Sequence, residues 1–479
     1  MCSWTRRTFV TGALSTAALS LAADGAPTGG HARRSATGRR PGAPSAAGYF
    51  PAHGDLGYDV THYDIRLAYR PRGRALDAVA RITAAPAEPL ERVAFDLASR
   101  LDVTGVEVNG APARFRHRHG KLHLAPAAPL LPGEPFTAAV RYRGRPGPVR
   151  SPFGAIGWDY TQGSGVVVAS QPLGAPSWFP CNDRPDDKAA YRITATVPEG
   201  LHVVANGVLQ GHSPGPGATR TWTYEHAHPM ASYLAQVQIG RFAFSHQRGG
   251  PVPLRNACPP HLTERFAHDF GRQPQMMTLF SRLFGPYPFE VYGSVVVDAE
   301  LDEPVENQTY ALFGTNHLDG RRTSEHLVAH ELAHHWFGNS VSLTDWRHIW
   351  LNEGFATYGE WLWSEHSGGP GAHELAASNW SDLADDAQRM RIGAPGPAHL
   401  FDDRVYSRGA CTLQALRTTL GDATFFALLR NWAARYRHGS AGTEEFIALA
   451  EAHSHRPLRS LLHSWLYARR LPPLPPERV

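Results

Sequence analysis

Two histidines four residues apart enclose a glutamate in His330-Glu331-Leu332-Ala333-His334, and Glu353 follows after 18 intervening residues. Two imidazoles and a carboxylate suit a divalent transition metal, and three protein ligands leave the fourth position open, as in a catalytic zinc site. On an α-helix, residues i and i+4 lie one above the other, so His330 and His334 reach one ion while Glu331 stands beside it. Glu331 is then a general base rather than a ligand, facing a water whose pKa the metal lowers toward about 7. Chance is the competing explanation. With 26 His in 479 residues, H-E-x-x-H arises by accident in about one such chain in fifteen, and a Glu at one fixed later position cuts that about twentyfold. Metal-assisted hydrolysis is the implied chemistry.

Such a site needs two helices. Residues 324–337 read as the first, with Ser324 as cap, Glu325 in the acid-favouring first turn and Gly338-Asn339 as the stop. A second helix begins near Asn352 and carries Glu353 in its first turn. Further helical segments are expected at residues 266–284, 354–366, 408–420 and 444–452, with a valine-rich strand at 291–297. Before residue 246 the pattern is different: short alternating runs at 59–67, 103–108, 138–142 and 191–197, separated by Pro and Gly, predict an all-β sandwich or barrel-like domain. The expected fold class is therefore α+β multidomain, a β sandwich-like domain at residues 49–245 followed by a mainly helical zinc domain at 246–479. Leu471-Pro472-Pro473-Leu474-Pro475-Pro476 cannot continue a helix and closes the chain.

The length, 52.4 kDa, exceeds one ordinary core. With 42% hydrophobic and 10% aromatic residues, the composition is globular. The net charge of +4 comes almost wholly from arginine, since Lys121 and Lys188 are the only lysines, and the basic residues are scattered. No nucleic-acid partner follows from such a distribution. At the N-terminus, Thr5-Arg6-Arg7-Thr8-Phe9-Val10 and the apolar stretch after it read as a twin-arginine export signal over residues 1–23. A Gly-, Pro- and Ser-rich flexible leader is expected at 24–48. Localisation outside the cytoplasm, in the periplasm, cell envelope or medium, is the corresponding expectation, with no membrane-spanning segment in the mature chain. Cys181, Cys258 and Cys411 follow the signal; an odd number is no disulfide framework, and they are expected as small buried hydrophobes.

The segment Val328-Ala329-His330-Glu331-Leu332-Ala333-His334-His335-Trp336-Phe337-Gly338-Asn339, then Trp350-Leu351-Asn352-Glu353-Gly354-Phe355-Ala356, resembles the gluzincin aminopeptidases related to aminopeptidase N and leukotriene hydrolase. Gly174-Ala175-Pro176-Ser177-Trp178-Phe179-Pro180-Cys181-Asn182-Asp183 looks like the family's turn in its β-domain, and Met230-Ala231-Ser232-Tyr233-Leu234 like a strand near that domain's end. The resemblance covers about residues 55–470. It implies a β-domain packed on a thermolysin-like catalytic domain, one catalytic zinc ion on His330, His334 and Glu353, and peptide substrates with a free N-terminus. Larger members add a helical C-terminal domain over the site; this chain is expected to lack one of full size and to have a more open cleft. Tyr406, in Tyr406-Ser407-Arg408-Gly409-Ala410, aligns with the tyrosine that stabilises the oxyanion, although the family usually has lysine where Arg408 stands. Glu306, in Glu303-Pro304-Val305-Glu306-Asn307, matches the amine-binding glutamate of a G-x-M-E-N loop whose glycine and methionine are absent here. Ten residues before Cys181, where many members have a second glutamate, stands Gln171. An amide brings no charge, so amine recognition rests mainly on Glu306.

The expected function is an exported zinc aminopeptidase. Two alternatives stay open: a zinc endopeptidase with relaxed amine recognition, and a non-catalytic peptide-binding protein on the same fold. Gly211-His212-Ser213-Pro214-Gly215 fits G-x-S-x-G, but Pro214 lacks the N–H that a serine hydrolase needs after its nucleophile, and the segment reads as a turn.

Overall fold

The alternating run at 59–67 becomes the strand Tyr58–Arg70. A bulge between Val60 and His62 shifts its phase, so that Tyr58 and Val60, then Tyr63, Ile65, Leu67 and Tyr69, all point into the core. The structure is a computed structural model that describes residues 48–476. The expected export signal and all but the last residue of the expected leader lie outside the described residues. Strand Tyr58–Arg70 pairs with Ala75–Pro86 on one side and, in parallel, with Lys188–Pro198 on the other, inside an eight-stranded sheet. A five-stranded sheet runs His202–Ala205, Val237–Gly240, Val166–Ala169, Gly154–Tyr160, Val149–Ser151. Tyr69 of the first sheet meets Trp158 of the second edge-on at 5.8 Å. Their inward side chains share one apolar core, as the alternation required.

The Phe-Pro-Cys turn is bound into this core by polar contacts. The side chain of Asn182 accepts from Asp55 N–H at 2.7 Å, Cys181 and Asp96 exchange backbone hydrogen bonds at 3.0 and 2.8 Å, and His53 pairs with Asp183 at 3.0 Å. Burial alone would lower the His53 pKa, but the hydrogen bond and charge of Asp183 outweigh it and hold the imidazole above its ordinary 6.5. A histidine raised in the folded state contributes stability that is full below its unfolded value and disappears as pH rises through the folded one. The difference in unfolding free energy between wild type and His53→Gln should therefore be largest below about pH 6.5 and shrink in alkaline buffer. Denaturant titrations across that range check it.

Four strands, Ala243–Gln247, Leu254–Cys258, Gly293–Val296 and Tyr310–Phe313, form the sheet beneath the helical half. The expected helix at 266–284 is two helices, Thr263–Asp269 and Gln273–Phe284. Gly271 ends one and Pro274 occupies the first turn of the next, where its missing N–H costs nothing. Three helices had no expectation attached: Ala372–Asp385, Asp422–Arg435 and Arg459–Tyr467. Gly211 to Pro214 is an exposed edge strand, not a turn, and Ser232–Leu234 is a short 3-10 turn after the strand Thr219–Ala231. Cys181, Cys258 and Cys411 are buried free thiols. Among the described residues no helix is long and apolar enough to cross a membrane.

Candidate active site

The first ligand helix runs Glu325–Ala333, shorter than the expected 324–337. Ser324 makes no side-chain cap; its carbonyl accepts from Leu327 N–H instead. His334 keeps helical dihedrals as the helix tightens, and the chain then opens into wide turns in which Asn339, Ser340 and Val341 donate to the carbonyls of His334, His335 and Trp336. Gly338, at φ 127°, makes that reversal. The second helix is Trp350–Ser367, so Glu353 does fall in its first turn. Glycines set the separations of the helices. A Cβ on Gly359 would stand 2.7 Å from the Cβ of Ala333, and one on Gly354 would stand 2.8 Å from Gly409 Cα in the helix Asp403–Leu420.

His330 and His334 each direct Nε2 at Glu353 Oε2, 3.5 Å away in both cases. The outer nitrogens are already engaged: His330 Nδ1 with Glu360 Oε1 at 2.6 Å, and His334 Nδ1 with the Phe337 carbonyl at 3.1 Å. Both partners only accept, so each neutral ring carries its proton on Nδ1 and turns the Nε2 lone pair inward. Once deprotonated, the two rings thus offer two lone pairs at the point where the Glu353 carboxylate already lies, in a buried place, a ligand set that fits a zinc ion. Burial would raise the Glu353 pKa, but His334 and His330, which in their protonated form donate to it from Nε2, more than reverse this and hold it at about 2, so this ligand is an anion.

Beside this triad lie two more carboxylates. Ligand atoms of Glu306, Glu331 and His334 also come within 4.8 Å of one another. Because His334 Nε2 faces Glu353 and its Nδ1 is bonded to Phe337, this second group is better read as two carboxylates flanking the metal than as a second complete metal site. Glu331 is 4% exposed and its Oε2 has no hydrogen-bond partner. Burial, opposed by His334 and reinforced by Glu306 and Glu353, pushes its carboxyl well above the usual range. Glu306 is raised to about 7, first by burial, with His334 opposing and Glu353 adding to the rise. Gln171, from the β-rich half, donates from Nε2 to Glu306 Oε1 at 2.6 Å across 135 residues of sequence. Despite the missing glycine and methionine, the Glu306 loop is tied down: Val305 and Leu312 exchange backbone hydrogen bonds, and Asn339 Nδ2 donates to the Glu306 carbonyl at 2.7 Å. Tyr406 lies half-buried, its ring nearly parallel to that of His330 with centroids 6.0 Å apart.

The sequence matches the peptidase family M1 domain over residues 269–465 and the peptidase M1 N-terminal domain over residues 60–234. An M1 zinc metallopeptidase of Deinococcus radiodurans shares 30% identity at a TM-score of 0.83, with 90% of this chain and 98% of that one covered. The chain belongs to peptidase family M1. Aminopeptidase M1 of Arabidopsis thaliana is 27% identical over 329 residues, and aminopeptidase N of Streptomyces lividans 26% over 326. These matches take in 63% and 62% of this chain but only 36% and 37% of those proteins, so the chain spans about a third of the curated relatives' length.

All seven expected site residues of this M1 chain, Gln171, Glu306, His330, Glu331, His334, Glu353 and Tyr406, meet at one place. Sequence reasoning missed Glu360. Its signal was available: Glu360 stands seven residues, two helical turns, after Glu353 and so on the same helix face. A carboxylate on the outer nitrogen of a ligand histidine fixes its tautomer and raises its basicity. Glu360→Gln should therefore weaken zinc binding by about 10–100-fold, measured by competition with a chromogenic chelator.

Proposed function

We propose that this chain is a zinc-dependent aminopeptidase, removing N-terminal residues from peptides. The observation that carries the reading is Glu306, a buried carboxylate oriented by Gln171 and adjacent to the metal-ligand set, where it can face a substrate ammonium. In support, one solved relative, 29% identical with a TM-score of 0.82, is an M1 zinc metallopeptidase bound to a Tyr-Ser-Ala substrate.

When bound, zinc supplies Lewis acidity, polarising the scissile carbonyl and easing deprotonation of water. His330, His334 and Glu353 hold the ion. Glu331, buried beside the ligands, takes the proton from the attacking water and returns it to the leaving amine. Tyr406 donates its phenolic hydrogen to the oxyanion of the tetrahedral intermediate. Glu306 neutralises the substrate's ammonium, and the Oε1 of Gln171 accepts a hydrogen bond from it. Export by a twin-arginine route is part of the same proposal, supported by Arg6-Arg7 and the apolar stretch that follows.

The test compares zinc-loaded and chelated protein on aminoacyl amides with free amines and on the same compounds N-acetylated. Metal-dependent release confined to free amines is the expected result. Cleavage of the acetylated set as well would make the chain an endopeptidase; zinc binding with no turnover would make it a binding protein. Glu306→Ala should depress kcat/KM for free-amine substrates by about 10²-fold or more, the cost of a buried charge-assisted contact. An equal loss on blocked substrates would count against exopeptidase action.

A further inference from the structure

Arg408 is only 4% exposed, and its guanidinium is spent on backbone carbonyls. Nε donates to Trp465 O at 2.7 Å, Nη1 to Arg469 O at 3.3 Å, and Nη2 to Ser464 O at 3.2 Å and Ala468 O at 2.6 Å. Ser464 and Trp465 lie in the last turn of the helix Arg459–Tyr467, where carbonyls have no partner within their own helix. A cation there also meets the negative end of the helix dipole. The planar fork matters: it spreads donors over four carbonyls on and just beyond that turn, whereas a lysine offers one nitrogen.

Arg408 stands two residues after Tyr406, about 200° around the same helix. One side of the helix Asp403–Leu420 therefore presents Tyr406 to His330, while the other is gripped at the end of the last helix. The following residue, Gly409, is pressed backbone to backbone against Gly354, directly after the ligand Glu353. Any roll or slide of this helix would carry the tyrosine with it. We infer that Arg408 is a positioning residue for Tyr406: by clasping the end of the helix Arg459–Tyr467, it sets the rotation and height of the tyrosine against the zinc ligands. The inference rests on the oxyanion role proposed for Tyr406.

The experiment is a double-mutant cycle on the full chain, with kcat, KM and zinc content measured for wild type, Arg408→Met, Arg408→Lys, Tyr406→Phe and the two doubles. A displacement of about 1 Å at a reacting group can cost about 10²-fold, so Arg408→Met should lower kcat by about 10–100-fold with little change in KM or bound zinc. Arg408→Lys, which keeps a charge but not the fork, should fall between. In the Tyr406→Phe background both substitutions should have almost no further effect on kcat. If they cost the same factor with and without the tyrosine hydroxyl, or act through lost zinc or raised KM, the inference is overturned while the role of Tyr406 stands. Normal turnover in Tyr406→Phe overturns both. Should Arg408→Met fail to fold, the lysine arm of the cycle decides by the same criterion.

Discussion

Glu331→Gln is expected to lower kcat by about two to four orders of magnitude, the range for a lost general base, while the protein still binds one zinc ion. The amide occupies nearly the same volume but cannot take a proton. None of the three converging ligands is touched, because His330, His334 and Glu353 direct their atoms at one another without Glu331. Stability should be unchanged or improved. Glu331 is a buried carboxyl with an oxygen that no donor reaches, and its raised pKa marks an environment hostile to its charge. Parallel measurements of zinc content, thermal midpoint and kcat separate these effects. A rate near that of wild type would remove Glu331 as the base, and loss of zinc would mean that it helps to hold the metal.

Tyr406→Phe should reduce kcat by about two to three orders of magnitude with KM little altered, as for other single oxyanion donors. The ring is kept, so its stacking beside His330 and its share of packing persist, and only the hydroxyl is lost. The split between kcat and KM is the informative quantity, since a donor to the oxyanion acts in the transition state and not on bound substrate. A KM effect with unchanged kcat would recast Tyr406 as a substrate-binding residue. Normal turnover would free it from any catalytic part.

Much of the chemistry was legible because it is local. The spacing of His330 and His334 places both rings on one face wherever the segment is helical, and Glu353 needs only a neighbouring helix beginning close to Asn352. Alternation in Tyr58–Arg70 and Lys188–Pro198 likewise revealed half-buried strands. The end of the ligand helix was misjudged because residues 334–337 keep helical spacing in sequence, while the backbone there leaves the α-helix for tighter and then wider turns. The helix Arg459–Tyr467 went unread for another reason: at nine residues it is short, and much of its stability comes from packing that a local window cannot see.

Sequence alone therefore determined that His330, His334 and Glu353 come together with Glu331 beside them, and that a β-rich half precedes a helical one, since each depends on spacings within a turn, a strand or two consecutive helices. Tertiary structure decided how Gln171 meets Glu306, which carboxylate orients His330, and what Arg408 binds. These contacts join segments distant in the chain, and several end on backbone carbonyls, which every residue carries alike and which leave no mark in the pattern of side chains.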